Sequence, residues 1–306
     1  MNNHPLVSVV IAAYNGAKYI EEQITSILQQ SYAPIEIIIV DDCSTDHTVS
    51  IIQNFQKDHS NIKLFVNEIN LGYIKNFEKG LTIASGDFIA PCDQDDIWLP
   101  DKIKICLENL QENEIVYCNS ILINNLGHPT GKKLSDIKRL TNFDTCLNYA
   151  IGNSAPGHAM LFRKSVIEYC VPFPDVLPHD YWIGFRASQH GIIKFIDTPL
   201  VLYRQHDSNV FGTGHLKNKK QNSREEKIQL ARQRIKYLYE HCATSLLTEK
   251  KAYALLYRSY QNNKLPNRIL RMYVFLTFRN QILAFKRKNA FAKILFCVKM
   301  FFKIDY

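Results

Sequence analysis

Asp93-Gln94-Asp95-Asp96 places three carboxylates within four residues, directly after Gly86-Asp87-Phe88-Ile89-Ala90-Pro91-Cys92. The apolar part of that run reads as a buried strand. Like charges this close repel, so the cluster calls for a compensating cation. Clustered carboxylate oxygens suit a hard divalent metal, which can carry a diphosphate with it. The same residues also suit a solvated acidic turn ahead of a helix beginning near Pro100, and only the surrounding sequence separates the two readings.

The elements that must position the cluster are short and regular. Leu6–Ala13 is a β-branched apolar run broken by Tyr14-Asn15-Gly16, as in a buried strand. Lys18–Gln30 carries Ile20, Ile24, Ile27 and Leu28 at helical spacing. Ile35–Val40 reads as a second strand, followed by the loop Asp41–Asp46 and a helix with Val49, Ile52 and Phe55, capped by Thr45 or Asp46. Ile62–Val66 is a third strand, Asn70-Leu71-Gly72 a turn, Ile74–Ala84 a helix and Asp87–Ala90 a fourth strand. Such alternation predicts βαβ units and a parallel sheet, whose ligands bind beyond the carboxyl ends of the strands. Tyr14-Asn15, Asp41-Asp42 and Asp93–Asp96 all follow strand ends. Further on, Glu114–Ile123, His158–Phe162, Ile192–Ile196 and Leu200–Tyr203 read as strands, and His179–Ser188 as a helix.

At 306 residues, with 46% hydrophobic and 22% charged side chains, the chain suits a catalytic domain with an appendage and excludes wholesale disorder. Its net charge of +8 is divided unevenly: residues 1–214 hold 16 Lys+Arg against 24 Asp+Glu, and residues 215–306 hold 21 against 5. A polar, basic break at Thr213–Arg224 marks the boundary. The eight cysteines include no C-x-x-C pair, which points to free thiols in a reducing compartment. No basic leader precedes the first apolar run, and no window of 18 consecutive apolar residues predicts a membrane span. Neither G-x-G-x-x-G nor G-x-x-x-x-G-K-[ST] occurs, which argues against dinucleotide and P-loop sites.

The ordered set Tyr14-Asn15, Val40-Asp41-Asp42-x-Ser44-x-Asp46, Asn70-x-Gly72-x-x-x-Asn76, Gly86-Asp87 and Asp93-x-Asp95-Asp96 resembles the family-2 glycosyltransferases over about residues 5–210. The resemblance implies an α/β chain with the GT-A fold, a Rossmann-like, mostly parallel sheet flanked by helices, and a C-terminal helical basic extension. Residues 1–214 would form the catalytic domain, with a nucleotide-binding half of about 1–98 and an acceptor half of about 99–214. Residues 215–306 would form the extension. Ala13, Tyr14, Asn15, Asp41, Asp42, Ser44, Asn70, Asn76, Asp93, Gln94 and Arg204 would hold a nucleotide-sugar donor. Of these, Tyr14, Asp41 and Asp42 would lie against base and ribose, Asp93 would face the ribose, and Arg204 would clamp the diphosphate. Asp95, with His206 as an additional ligand, would coordinate Mg²⁺ or Mn²⁺. Asp180 stands where the family carries its catalytic base, and one base suffices for transfer with inversion. Cys43 departs from the family's usual small residue.

Gln94, Trp98, Gly157-His158 and His179-Asp180-Tyr181-Trp182 resemble a subgroup that includes bacterial rhamnosyltransferases. That likeness places Trp98, Gly157, His158, His179 and Trp182 at the acceptor and implies dTDP-L-rhamnose as donor. A UDP-hexose or UDP-N-acetylhexosamine is the alternative. The two tryptophans serve equally as stacking platforms or as core. The Gln-x-x-Arg-Trp motif of processive relatives is absent, so one sugar per encounter is expected.

Residues 225–306 read as helical. Phe291, Ile294, Leu295, Val298, Phe301 and Phe302 form a stripe among Lys288, Lys293, Lys299 and Lys303, with Phe296 and Met300 on the other side. This pattern suits an anionic membrane surface, or a bundle packed on the catalytic domain. A lipid-linked glycan acceptor at the cytoplasmic face of the plasma membrane follows from the tail and the family. A nucleotidyltransferase would also use paired aspartates and a divalent metal, but lacks its basic loop here. A nucleic-acid-binding protein would use the basic tail, and the acidic first part argues against it.

Overall fold

The computed structural model describes residues 4–206 and 223–304; residues 213–222 of the expected boundary lie outside the described residues. The chain runs β1 (Val7–Ala13), α1 (Ile20–Leu28), β2 (Ile35–Asp41), α2 (Thr48–Asp58), β3 (Ile62–Val66), α3 (Tyr73–Ile83) and β4 (Phe88–Asp93). Then follow β5 (Ile97–Trp98), α4 (Lys102–Leu110), β6 (Ile115–Ile123), β7 (Pro129–Lys133), α5 (Leu134–Ile137), β8 (Met160–Arg163), α6 (Ser165–Glu168), α7 (His179–Ala187) and β9 (Ile193–Arg204). Beyond them lie α8 (Arg224–His241), α9 (Leu247–Tyr260), α10 (Leu265–Thr277), α11 (Arg279–Ile282) and α12 (Ala290–Phe302).

The described strands form one sheet in the order β3-β2-β1-β4-β8-β6-β9-β5, with β7 on β6. β3, β2, β1 and β4 are parallel, which is why β1 and β2 read as near-continuous apolar runs: helices cover both their faces. The second half departs from the expected mostly parallel sheet. β8 runs antiparallel to both β4 and β6, and β5 and β7 are antiparallel additions, while β6 and β9 are parallel. The chain reaches β8 through an irregular segment with 3₁₀ turns at Cys146–Tyr149 and Gly157–Ala159 rather than a crossover helix, so nothing fixes a parallel return. The two closing strands expected around residues 192–203 are one strand, β9, whose pairing with β6 slips where Pro199 lies opposite Asn119. Proline offers the ladder no N–H there.

The parallel register aligns the strand ends that matter. Ala13 pairs with Asp41 and Ala12 with Asp93, so the loops after β1, β2 and β4 leave the sheet at one edge. Strand order departs from β1 in both directions, which opens a crevice at that edge. The opposite edge is tied by Glu36, which accepts from Ser8 Oγ, Ser85 N, Ser85 Oγ and Lys63 Nζ. Gly86 lies so close to β1 that a Cβ would stand 2.7 Å from the Leu6 carbonyl, which explains the glycine of the Gly86-Asp87 pair.

The C-terminal helices share the core of the sheet. Ile235, Leu238, Tyr253, Leu256, Val274, Phe275, Cys297 and Met300 belong to the same buried cluster as β1 and β2. Tyr253 donates to the Cys146 carbonyl at 2.7 Å and Asn148 to the Gln281 carbonyl at 3.1 Å. Packing on the catalytic half is therefore how α8–α12 are held. One face stays open: Phe291, Ile294, Leu295, Val298 and Phe302 of α12 are exposed, as are Leu265, Ile269 and Tyr273 of α10. Among the described residues no helix is long and apolar enough to cross a membrane.

Candidate active site

At the carboxyl edge lies a cavity of about 1150 Å³, lined by loops from both halves of the sheet and by α7 and α8. Asp42, Asp95 and Asp180, far apart in the sequence, all open onto it, together with Ala13, Tyr14, Asn15, Asn70, Asn76, Asp93, Gln94, Gly157, His158, His179 and His206. Hydrogen bonds between loops fix one wall. Tyr14 N donates to Gln94 Oε1 at 2.9 Å and Gln94 Nε2 returns a bond to Tyr14 O at 3.0 Å. The Asp42 carboxylate accepts from Asn67 Nδ2, Leu71 N and Gly72 N at 2.8–2.9 Å, which orders the Asn70–Gly72 turn. Asn76, fully buried, accepts from Asn67 and donates to the Val40 carbonyl. The Tyr14 ring stands at the cavity lip, 48% exposed, as a flat surface.

Two acid–histidine groups meet at the cavity, with Asp96 buried behind its lining. Asp95 Oδ2 lies 2.7 Å from His206 Nε2, and Tyr19 stacks on the His206 ring. Beside them, Asp93, Asp96 and His158 each bring one ligand atom to within 4.8 Å of the others. His158 Nδ1 is 3.6 Å from Asp93 and 3.8 Å from Asp96, while its Nε2 meets Ser120 Oγ at 3.1 Å. Asp96 Oδ1 accepts from Arg204 N, but its buried Oδ2 has no hydrogen-bond partner, only the His158 ring nitrogen at 3.8 Å. Burial, then the charges of Asp95 and Asp93, push the Asp96 carboxyl well above the usual range. Burial works the same way on Asp93, yet the bond and charge of His158 outweigh it and hold Asp93 low. The Asp93 side chain keeps 40% of its surface open to the cavity, which weakens the burial effect. A buried carboxylate oxygen without a hydrogen bond, among further acids and imidazoles, fits a divalent cation.

His179 and Asp180, which open α7, also line the cavity. The buried His179 ring stacks on Phe77 at 3.8 Å, both of its nitrogens lack partners, and burial lowers its pKa. Asp180 Oδ1 accepts from Tyr181 N at 2.7 Å.

Residues 8–170 match the family model of glycosyl transferase family 2. The chain belongs to glycosyl transferase family 2. The dTDP-rhamnosyl transferase RfbG of Shigella flexneri is 33% identical over 66% of this chain and 73% of its own length. The UDP-Glc:alpha-D-GlcNAc-diphosphoundecaprenol beta-1,3-glucosyltransferase WfgD of Escherichia coli is 30% identical over 67% of this chain and 79% of its own. Among solved structures, S. aureus TarS 1-349 in complex with UDP-GlcNAc superposes with a TM-score of 0.60 at 18% identity, covering 90% of this chain and 81% of that one. The architecture is thus the GT-A fold, and the family makes the chain a glycosyltransferase.

Five residues assigned to the site of this family-2 enzyme do not stand where the sequence suggested. Arg204 does not line the cavity: it is buried beneath it, ion-paired to Glu22 and donating to the Asp95 carbonyl at 2.7 Å, so it braces the acid loop instead of facing a diphosphate. Trp98 is buried under Lys102, whose Nζ lies 3.1 Å from the ring centre. Trp182 is buried and donates to the Cys170 carbonyl. Both tryptophans are core. Asp41 turns away from the cavity to accept from Ser44 N and Oγ, and Ser44 Oγ accepts from Asn15 N, so Asp41 and Ser44 shape the loop while Asp42 lines the cavity. Asp96 received no role from the sequence, though its place in the acid cluster was the available signal. Lys138 and Arg234 line the cavity as well, and no motif marks either.

Proposed function

We propose that this family-2 enzyme is an inverting, metal-dependent glycosyltransferase that moves one sugar from a nucleotide-diphosphate sugar to a lipid-linked glycan in cell-surface polysaccharide biosynthesis. The single observation carrying this reading is the convergence of Asp42, Asp95 and Asp180 on one cavity. The Tyr14 ring and the ordered Asp42–Asn76 loops would receive base and ribose. Asp95 and His206, with Asp93, Asp96 and His158 beside them, would hold Mg²⁺ or Mn²⁺. A bound divalent ion supplies neutralisation of the charge that grows on the nucleoside diphosphate as it leaves.

Asp180 would take the proton from the acceptor hydroxyl as that oxygen approaches the anomeric carbon. Its opening onto the same cavity as the acid cluster lets one bound donor meet both. Gly157, His158 and His179 would shape the acceptor side. The likeness to RfbG favours dTDP-L-rhamnose as donor, and that to WfgD supports a UDP-hexose as the second reading. WfgD's printed acceptor also supports a lipid-linked one.

We divide the chain into a catalytic part, 1–214, and a helical part, 215–306, packed on it. The open apolar face of α10 and α12, ringed by lysines, would rest on the anionic cytoplasmic face of the membrane. Thermal-shift screening with UDP-, dTDP- and GDP-sugars plus Mn²⁺ tests the donor reading. Asp95→Ala is expected to remove the metal-dependent part of the shift. Asp180→Asn is expected to keep donor binding and lose at least about 10²-fold in transfer rate. Wild-type turnover by Asp180→Asn refutes its role as base.

A further inference from the structure

We propose that the acceptor is bound through a phosphate group, held by Arg234 of α8 and Lys138 beside α5. This rests on the reading above, in which the acceptor meets the wall that carries Asp180.

Among the described lining residues of the cavity the acids are Asp42, Asp93, Asp95 and Asp180, and the cations are Lys18, Lys138 and Arg234. Lys18 belongs to the donor wall, with its Nζ over the Tyr19 ring. Lys138 and Arg234 remain for the wall formed by Gly152–Gly157 and Pro178–Tyr181. Among the described residues neither makes a salt bridge. Arg234 is half-buried and anchored, its Nε donating to the Val176 carbonyl at 3.2 Å. Lys138 is placed by the extension: Arg287 donates to the carbonyls of Ser135 and Asp136 in α5, and Lys138 N donates to Leu134 O. The C-terminal helices thus supply one cation and brace the other.

Asp180 and Arg234 exert opposite effects on the Tyr73 hydroxyl, which places both charges around one phenol. A neutral sugar would strip water from both cations on entry and bring no charge in return. An anionic group on the acceptor offsets that cost. Arg presents a planar fork and Lys a point charge, a pair suited to phosphate oxygens. The phosphate comes either from the diphosphate link of a lipid carrier or from a phosphate in the glycan itself.

The test uses the full chain with its donor side saturated by UDP or dTDP at fixed free Mn²⁺. Farnesyl diphosphate, inorganic pyrophosphate and farnesol are titrated by calorimetry. Farnesyl diphosphate is expected to bind and farnesol not, with Kd rising about tenfold in Arg234→Gln and several-fold in Lys138→Gln while nucleotide affinity holds. Arg234→Lys is expected to recover part of the loss. Pyrophosphate binding as tightly as farnesyl diphosphate, with the same sensitivity, assigns recognition to phosphate alone; a clear preference for the farnesyl form assigns it to a lipid-linked phosphate. Unchanged farnesyl diphosphate affinity in both Gln variants overturns the inference. The exposed Lys138→Gln keeps the test valid if Arg234→Gln folds poorly. Methyl glucuronoside competing equally well overturns the choice of phosphate. Failure of wild type to bind any nucleotide sinks the glycosyltransferase reading itself, a result distinct from all of these.

Discussion

Gly157→Ala is the substitution for which the structure gives the most definite consequence. An added Cβ would lie 2.5 Å from His179 Nε2 and 3.3 Å from Asp180 Cβ, against ordinary contacts of 3.4–4 Å. The His179 ring cannot swing aside, because it is buried and stacked on Phe77 at 3.8 Å. The first turn of α7 must therefore move by about 1 Å, and a misplacement of that size costs about 10²-fold in rate, or about 3 kcal/mol of barrier. Gly157 has no positive φ, so backbone strain adds nothing. Initial transfer rates at saturating donor are expected to fall by that factor, while the nucleotide-induced thermal shift stays within a degree or so. The double variant Gly157→Ala/His179→Ala clears the contact and should regain about tenfold over the single one. A Gly157→Ala enzyme with wild-type kcat refutes the reasoning, as does one that loses nucleotide binding in parallel with rate.

Two further outcomes are expected. Burial tends to raise the Glu36 carboxyl, but bonds from Lys63, Ser8 and Ser85 outweigh it and bring its pKa to about 2. That contribution is present above the unfolded value of about 4.3 and is lost as pH falls toward about 2. Glu36→Gln should lower stability at pH 7 by about 1–2 kcal/mol, after discounting for a Lys63 side chain that is 51% exposed, and denaturant curves should converge with wild type below pH ~4; a constant gap down to pH ~3 refutes this account. Phe291→Asp/Leu295→Asp should abolish sedimentation with phosphatidylglycerol vesicles and leave nucleotide binding intact, and unchanged sedimentation removes α12 from the membrane contact.

Much of the nucleotide half was legible because its signals are local. The apolar runs of β1 and β2 and the helical spacing of α1 define their elements by period alone, and parallel pairing then delivers Tyr14, Asp42 and Asp93 to one edge. The short β5 and β7 carry too few residues to show a period, and β7 is exposed throughout. The neighbouring pair Asp41-Asp42 shows the limit within a single loop. Both are acidic and both follow β2, yet Asp41 binds Ser44 behind the loop while Asp42 reaches the Asn70–Gly72 turn at the cavity.

By itself the sequence determined the alternating elements, the family and the acid cluster after β4, since these rest on local spacing and on residue types that chemistry restricts. Only tertiary structure decided which side chains face the cavity. Arg204, Trp98 and Trp182 turn inward because packing and buried hydrogen bonds claim them, and Arg234 joins the site from a helix about fifty residues beyond Asp180 because α8 docks beside Val176. Residue type can announce a charge or a ring. The direction in which it points depends on long-range packing that no local pattern encodes.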